Sequence, residues 1–169
     1  MSIISFLKEA GEKLFGSKDT EAAAQKAQAA PDDAALQAKA AEANAAAAAA
    51  IVTYIGTQNL QADGLDVSFD GASGSVTVAG LAPDQATKEK IILCCGNVGG
   101  VVQVNDLLTV AQPADESRYY TVVRGDTLSA IAKTQYGAAN AYMKIFEANK
   151  PMLSHPDKIY PGQVLRIPA

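Results

Sequence analysis

The sequence predicts an α+β fold in two small domains, and three observations predict it. The first fifty residues are rich in alanine, lysine and glutamate, which favours helix. Residues 65–69 and 74–80 alternate apolar and polar side chains around a glycine-containing turn, the period of half-buried strands. After a short polar linker, residues 119–169 read strand, helix, helix, strand. The chain's 169 residues suffice for one medium domain or two small ones. Hydrophobic residues make up 49 %, much of it alanine; aromatics are 6 % and tryptophan is absent, so the cores are expected to be small and aliphatic.

Residues 2–15 read as a short amphipathic helix, with Ile3, Phe6, Leu7, Ala10 and Leu14 at helical spacing and Gly16 as its stop. Residues 20–50 are alanine-rich and read as a helix to Ala29, a break, and a longer helix from Pro31, whose fixed φ suits a first helical turn. A flexible linker is the competing reading of that segment. The long helix runs to Gln58 and carries Ile51, Val52, Tyr54 and Ile55 into a core. Residues 65–69 and 74–80 are strands joined by a turn at residues 70–74. Pro83-Asp84-Gln85 opens a helix through Ile91, Ile92 and Cys95 that Gly96 closes. Residues 101–110 form a further strand. These elements place helices on one face of a small mixed sheet. In the tail, residues 120–123 are a strand. Asp126 is the expected N-cap of a helix over 127–135 ended by Gly137, residues 138–149 are a second helix, and 164–167 the last strand.

Charge is unevenly distributed. The net charge of −4 comprises −2 over residues 1–50, −4 over 51–112 and +2 over 113–169. An acidic chain with no basic face argues against nucleic acid as a partner. The opposed signs of the middle and the tail favour a salt-sensitive contact between them. The apolar start lacks a preceding cation and a long hydrophobic run, so no secretory signal is expected, and no stable membrane insertion. Cys94 and Cys95 are adjacent, a poor geometry for an intrachain disulfide, and a cytoplasmic location is expected. The single His155 lies in a loop between Ser154 and Pro156. No phosphate loop or zinc spacing appears. The cysteine pair reads as a buried helix face before it reads as a reactive site. The expectation is a binding protein, not an enzyme, and a monomer.

The tail carries a specific pattern: Tyr119-Tyr120-Thr121-Val122-Val123-Arg124-Gly125-Asp126-Thr127-Leu128, then Ile145-Phe146-Glu147-Ala148-Asn149-Lys150-Pro151, then Ile159-Tyr160-Pro161-Gly162-Gln163-Val164-Leu165-Arg166-Ile167-Pro168. Over residues 119–169 it resembles the LysM domain, a β-α-α-β module that usually holds N-acetylglucosamine polymers such as peptidoglycan. The resemblance implies a glycan groove formed by Gly125, Asp126, Thr127 and Leu128 on one side, with Asn149, Lys150, Pro151 and Met152 on the other. In the middle, Gly74-x-Val76-x-Val78-x-Gly80 and Gly100-Val101-Val102-x-Val104-x-Asp106 resemble the BON domain. Those domains have the order α-β-β-α-β, are associated with phospholipid or other surface binding, and carry no known active site. The expected division is an N-terminal helix over 1–18, an alanine-rich helical insertion or linker over 19–50, BON over 51–111, a linker over 112–118, and LysM over 119–169.

The whole chain is similar to bacterial cytoplasmic potassium-binding proteins of BON-plus-LysM order. The residues that carry this resemblance are Phe6-Leu7-Lys8-Glu9-Ala10-Gly11-Glu12-Lys13-Leu14 and Gly96-Asn97-Val98-x-Gly100-Val101, together with the LysM tail. The alanine-rich stretch 21–50 departs from that pattern. The resemblance implies K+ as the ligand, acting in a sensor or buffer, with ion binding ordering the N-terminal helix and the two domains. The implied ligands are backbone carbonyls of Leu7, Ala10 and Glu12 from the start, with Gly96, Val98 and Val101 from the BON loop. The chemistry is compatible: potassium suits several neutral carbonyl oxygens, and helix C-termini supply carbonyls without intrahelical partners. Peptidoglycan bound in the LysM groove is the alternative.

Overall fold

The computed structural model describes residues 2–6 and 11–169. Two units follow one another. The first holds β1 (Ser2–Ser5), α1 (Ser17–Ala29), α2 (Ala34–Thr57), β2 (Asp63–Asp70), β3 (Ser75–Asp84), α3 (Gln85–Gly96) and β4 (Gln103–Gln112). The second holds β5 (Arg118–Thr121), α4 (Leu128–Tyr136), a 3-10 turn (Ala139–Ala141), α5 (Tyr142–Ala148) and β6 (Val164–Ile167).

The expected helix over residues 2–15 is not what Ser2–Ser5 form. They are an edge strand, antiparallel to β4, with Ser2 opposite Asp106 and Ser5 opposite Gln103. Two consecutive β-branched isoleucines favour strand over helix. Gly11, at φ +108°, holds a conformation that no helix contains. Pairing also satisfies backbone groups along the open side of β4. The sheet order is β1-β4-β3-β2; β3 and β4 run parallel and their neighbours antiparallel. Helix α3 makes the crossover that a parallel pair requires.

The alanine-rich segment is helical, as a hairpin of α1 and α2. Buried Ala24 and Ala27 of α1 and Ala40 of α2 give the pair small contact faces. Pro31 does not start the second helix; it sits in the turn. Asp33 is the cap, its carboxylate accepting the N–H groups of Ala35 and Leu36 at 3.0 and 3.1 Å. Gln37 donates to the Ala27 carbonyl at 2.7 Å, closing the hairpin, and Asn44 accepts the Gly71 N–H at 3.0 Å, fixing it to the β2–β3 turn.

Both α2 and α3 pack on the inner face of the sheet. Ile51, Ile55, Ile91, Ile92, Val76, Val78 and Val104 are fully buried there. A second core, of Val122, Leu128, Ile131, Ile145, Leu165 and Ile167, fills the tail unit. There, helix α4 is capped by Thr127, whose hydroxyl accepts the Ala130 N–H, and not by Asp126. Asp126 instead accepts the Val123 N–H and the Tyr120 hydroxyl, closing its own loop. Gly137 ends α4 in the left-handed region, as expected. The second helix is broken into the 3-10 turn and α5.

Candidate functional site at the domain junction

The loop from Gly96 to Val102 lies where the start of the chain, the first unit and the second unit meet. Gly96 is in the last turn of α3, and its lack of a side chain is required. A Cβ there would fall 1.9 Å from Cζ of Phe6, whose ring lies against the glycine. The Phe6 N–H donates to the Val102 carbonyl at 2.7 Å, carrying the β1 pairing one residue further. Beyond it, Gly11 passes so close to the loop that a Cβ would meet the Asn97 carbonyl oxygen at 2.3 Å. Glu12 and Val98 then form a short parallel bridge. The Glu12 N–H donates to the Asn97 carbonyl at 2.9 Å, and Gly99 donates back to the Glu12 carbonyl at 2.8 Å. The loop closes on itself through the Val101 N–H and the Val98 carbonyl, at 3.1 Å. Gly100, at φ +101°, is packed on Ser17.

Four of the six carbonyl residues expected from the sequence therefore fall in one small region: Glu12, Gly96, Val98 and Val101. The other two, Leu7 and Ala10, lie outside the described residues. The carbonyls of Glu12 and Val98 each accept one hydrogen bond, and each carbonyl oxygen has a second lone pair. Burial, together with the Glu12 charge, pushes up the phenols of Tyr54 in α2 and Tyr160 in the tail unit, Tyr160 to about 12. Among the described residues, no three acidic, histidine or cysteine side chains converge as a metal cage.

The two units are joined at the same place. Asn97 follows Gly96, and its N–H caps α3 on the Leu93 carbonyl. Its side-chain amide meets Val164 of β6 twice, accepting the N–H and donating to the carbonyl, both at 2.9 Å. About two turns back along α3, Glu89 is buried and pairs with Arg166 of β6. It also accepts from the Gln85 side chain and the Ser117 N–H, each at 2.8 Å. Burial alone would raise its carboxyl; the bonds from Arg166, Gln85 and Ser117 overcome that and hold it below the usual carboxylate range. Val164, Tyr119 and Met152 of the second unit pack on the first unit's core.

The residues expected to line a glycan groove are put to mixed use. Leu128 is in the core, Thr127 is a cap and Asp126 closes a loop. Asn149 is 2 % exposed, and its amide is spent on the N–H and carbonyl of Arg166, at 2.8 Å each. Lys150 lies over the Phe146 ring and pairs with Glu147. Gly125, at φ +93°, and Pro151 are exposed. His155 is exposed and accepts the Asp157 N–H. Cys94 and Cys95 are buried and reduced; burial pushes Cys94 up to about 12 and Cys95 further, so neither is a thiolate near neutral pH.

Sequence reasoning gave Asn97, Glu89 and Arg166 no role of their own and placed Phe6 on a helix face. Asn97 stood inside the Gly96-Asn97-Val98 string, where the flanking residues drew the attention. Glu89 is the one acid within α3, set between Lys88 and Lys90 as on any solvated helix face, and no local signal marks it as buried.

The BON domain model matches residues 32–112, and the LysM domain model matches residues 120–168. A protein of Escherichia coli named potassium binding protein Kbp is 42 % identical over 176 aligned residues, covering 99 % of each chain. A protein of Deinococcus radiodurans, named only as uncharacterized, is 53 % identical over 49 residues, covering 29 % of this chain and 19 % of its own.

Proposed function

The chain belongs to the BON-plus-LysM family that includes the Escherichia coli potassium binding protein, and on that premise we propose that it binds potassium ions in the cytoplasm as a sensor or buffer. The observation that carries the reading is the Glu12–Val98 bridge, which brings backbone oxygens of the chain's start beside those of the glycine loop. In this reading the ligands are the carbonyls of Glu12, Gly96, Val98 and Val101, with Leu7 and Ala10 as the further pair expected from the sequence. Neutral carbonyls replace the weakly held hydration shell of potassium. The C-terminal end of α3 adds the negative end of its dipole, and the Glu12 carboxylate adds a charge close by. No carboxylate need touch the ion, which suits a large monovalent cation better than calcium. The role is binding, not catalysis.

Titration calorimetry on the full chain tests this, with KCl and NaCl compared at equal ionic strength. Heat with potassium and a weaker response to sodium is expected. No potassium heat up to tens of millimolar sinks the reading.

A LysM match keeps peptidoglycan binding as a second reading. Its groove would use Gly125, Asp126, Thr127, Leu128, Asn149, Lys150 and Pro151. Three observations weigh against it: Leu128 is in the core, Asn149 is committed to Arg166, and Met152 packs on the first unit. Co-sedimentation with insoluble peptidoglycan separates the two readings.

A further inference from the structure

Strand β6 has β5 on one side only, with Val164 opposite Thr121 and Arg166 opposite Tyr119. Its other edge is sealed by two asparagines. Asn149, from α5's end, takes the N–H and carbonyl of Arg166. Asn97, from the first unit, takes the N–H and carbonyl of Val164. Residues two apart on a strand present their backbone groups to the same side, so the two amides stand in for one missing strand. Without Asn97, the Val164 pair would face the first unit's core, where an unmade backbone bond is costly. Half of the edge seal is thus supplied by the tail unit itself, and half by a residue that belongs to the glycine loop.

That residue is held from every side. Its N–H caps α3, its carbonyl takes the Glu12 N–H, its neighbours are Gly96 and Val98, and its side chain grips β6. A change in the loop's backbone that moves Gly96 and Val98 moves the amide with it. Glu89 and Arg166 make a further polar link, but Glu89 sits in the middle of α3, away from the loop.

Resting on the potassium reading above, we propose that Asn97 is the positioning residue that couples ion occupancy of the loop to docking of the second unit. The ion orders the loop backbone, the ordered loop presents the Asn97 amide in register, and β6 docks on it. Coupling is reciprocal, so a docked second unit also tightens the ion site.

The test uses the full chain and the Asn97→Ala and Asn97→Asp variants. Docking is read from hydrogen exchange at the Ser117 amide, which bonds to Glu89 and does not touch Asn97. Folding of the tail unit is read separately from the Val122 amide, bonded to the Gln163 carbonyl. In the unaltered chain KCl is expected to slow Ser117 exchange more than NaCl does. In Asn97→Ala the Val122 amide stays protected, the potassium-dependent slowing at Ser117 disappears, and potassium affinity falls roughly 5-fold or more. Asn97→Asp keeps the acceptor for the Val164 N–H but sets an oxygen against its carbonyl, so its response is also lost. A merely structural Asn97 would loosen docking equally with and without potassium. Retention of the full potassium effect at Ser117 in both variants overturns the proposal. So does an unaltered chain that gives potassium heat with no change at Ser117. An unaltered chain that gives no potassium heat overturns the underlying reading, and the coupling with it.

Discussion

Phe6 and Gly96 are one fitted pair, and neither is legible alone. In the sequence Gly96 reads as a helix stop, which it nearly is: α3 includes it and Asn97 is the cap. Its deeper requirement is the phenyl ring standing where its side chain would be. Gly96→Ala must displace Phe6 from a buried site, and overpacking of this kind costs about 1–3 kcal/mol. Phe6→Ala leaves a cavity instead, at a cost of about 3–5 kcal/mol. Because the methyl of the first variant fits the space vacated by the second, the double variant is expected to lose less than the sum of the two. Urea denaturation of the four chains measures this, and strict additivity would show that the two residues are independent. The same pair explains an error at this scale. Phe6 sits at helical spacing from Ile3 and Ala10, so periodicity assigned it to a helix face. Its partner lies ninety residues away, where no local pattern reaches.

At the level of elements, the long periodic helices and alternating strands were readable because their signals are repeated along the chain. The alanine hairpin, β2, β3, α3, β4 and the β-α-α-β tail all stand near their expected places. The element that was misread, β1, is four residues long, and a short apolar run carries no decisive period. Tertiary pairing with β4 decided it. The start of α4 went astray for a related reason: Thr127 sits beside Asp126, which is equally able to cap, and only the geometry of the first turn chooses between them. The contact of α3 with β6 yields a prediction. Glu89 is held below the ordinary carboxylate range by Arg166, Gln85 and Ser117. A depressed folded-state value means that its contribution is present above the ordinary glutamate range. That contribution is lost as pH falls through the depressed value, below about pH 4. Arg166 keeps its charge throughout, so acid leaves it without its buried partner in a half-buried place. Glu89→Gln removes the titration, and breaking such a pair costs about 3–5 kcal/mol. The expected result is a steep acid loss of stability in the unaltered chain and a flatter profile in Glu89→Gln. Thermal melts between pH 3 and pH 7 check it, and equal acid sensitivity of the two chains would assign the loss to other carboxylates.

For the whole molecule, the uneven charge of the sequence anticipated that the acidic middle and basic tail would meet. It did not say where, since Asn97 and Val164 are 67 residues apart and their contact uses an uncharged amide. What the meeting implies is cooperativity. Val164, Tyr119 and Met152 of the second unit complete the first unit's core, and Glu89 and Asn97 of the first complete the bonding of β6. Neither unit can therefore unfold without exposing apolar surface or unpaired polar groups of the other, and one melting transition is expected for both. A ligand that binds only the folded state raises its stability by RT ln(1 + [L]/Kd), about 2.7 kcal/mol at a hundredfold excess over Kd. If potassium is held at the Gly96 loop, that gain must appear in the tail unit as well as in the first, though the tail contributes none of the proposed ligands. KCl is then expected to raise the melting temperature over NaCl at equal ionic strength, by the same amount for probes in either unit. The amide NMR signals of Val102 in the first unit and Val122 in the second, followed through the melt, provide such probes. A potassium shift confined to the first unit, with the tail melting separately and unmoved, would show that the shared core and the Asn97 contact do not bind the two into one cooperative body.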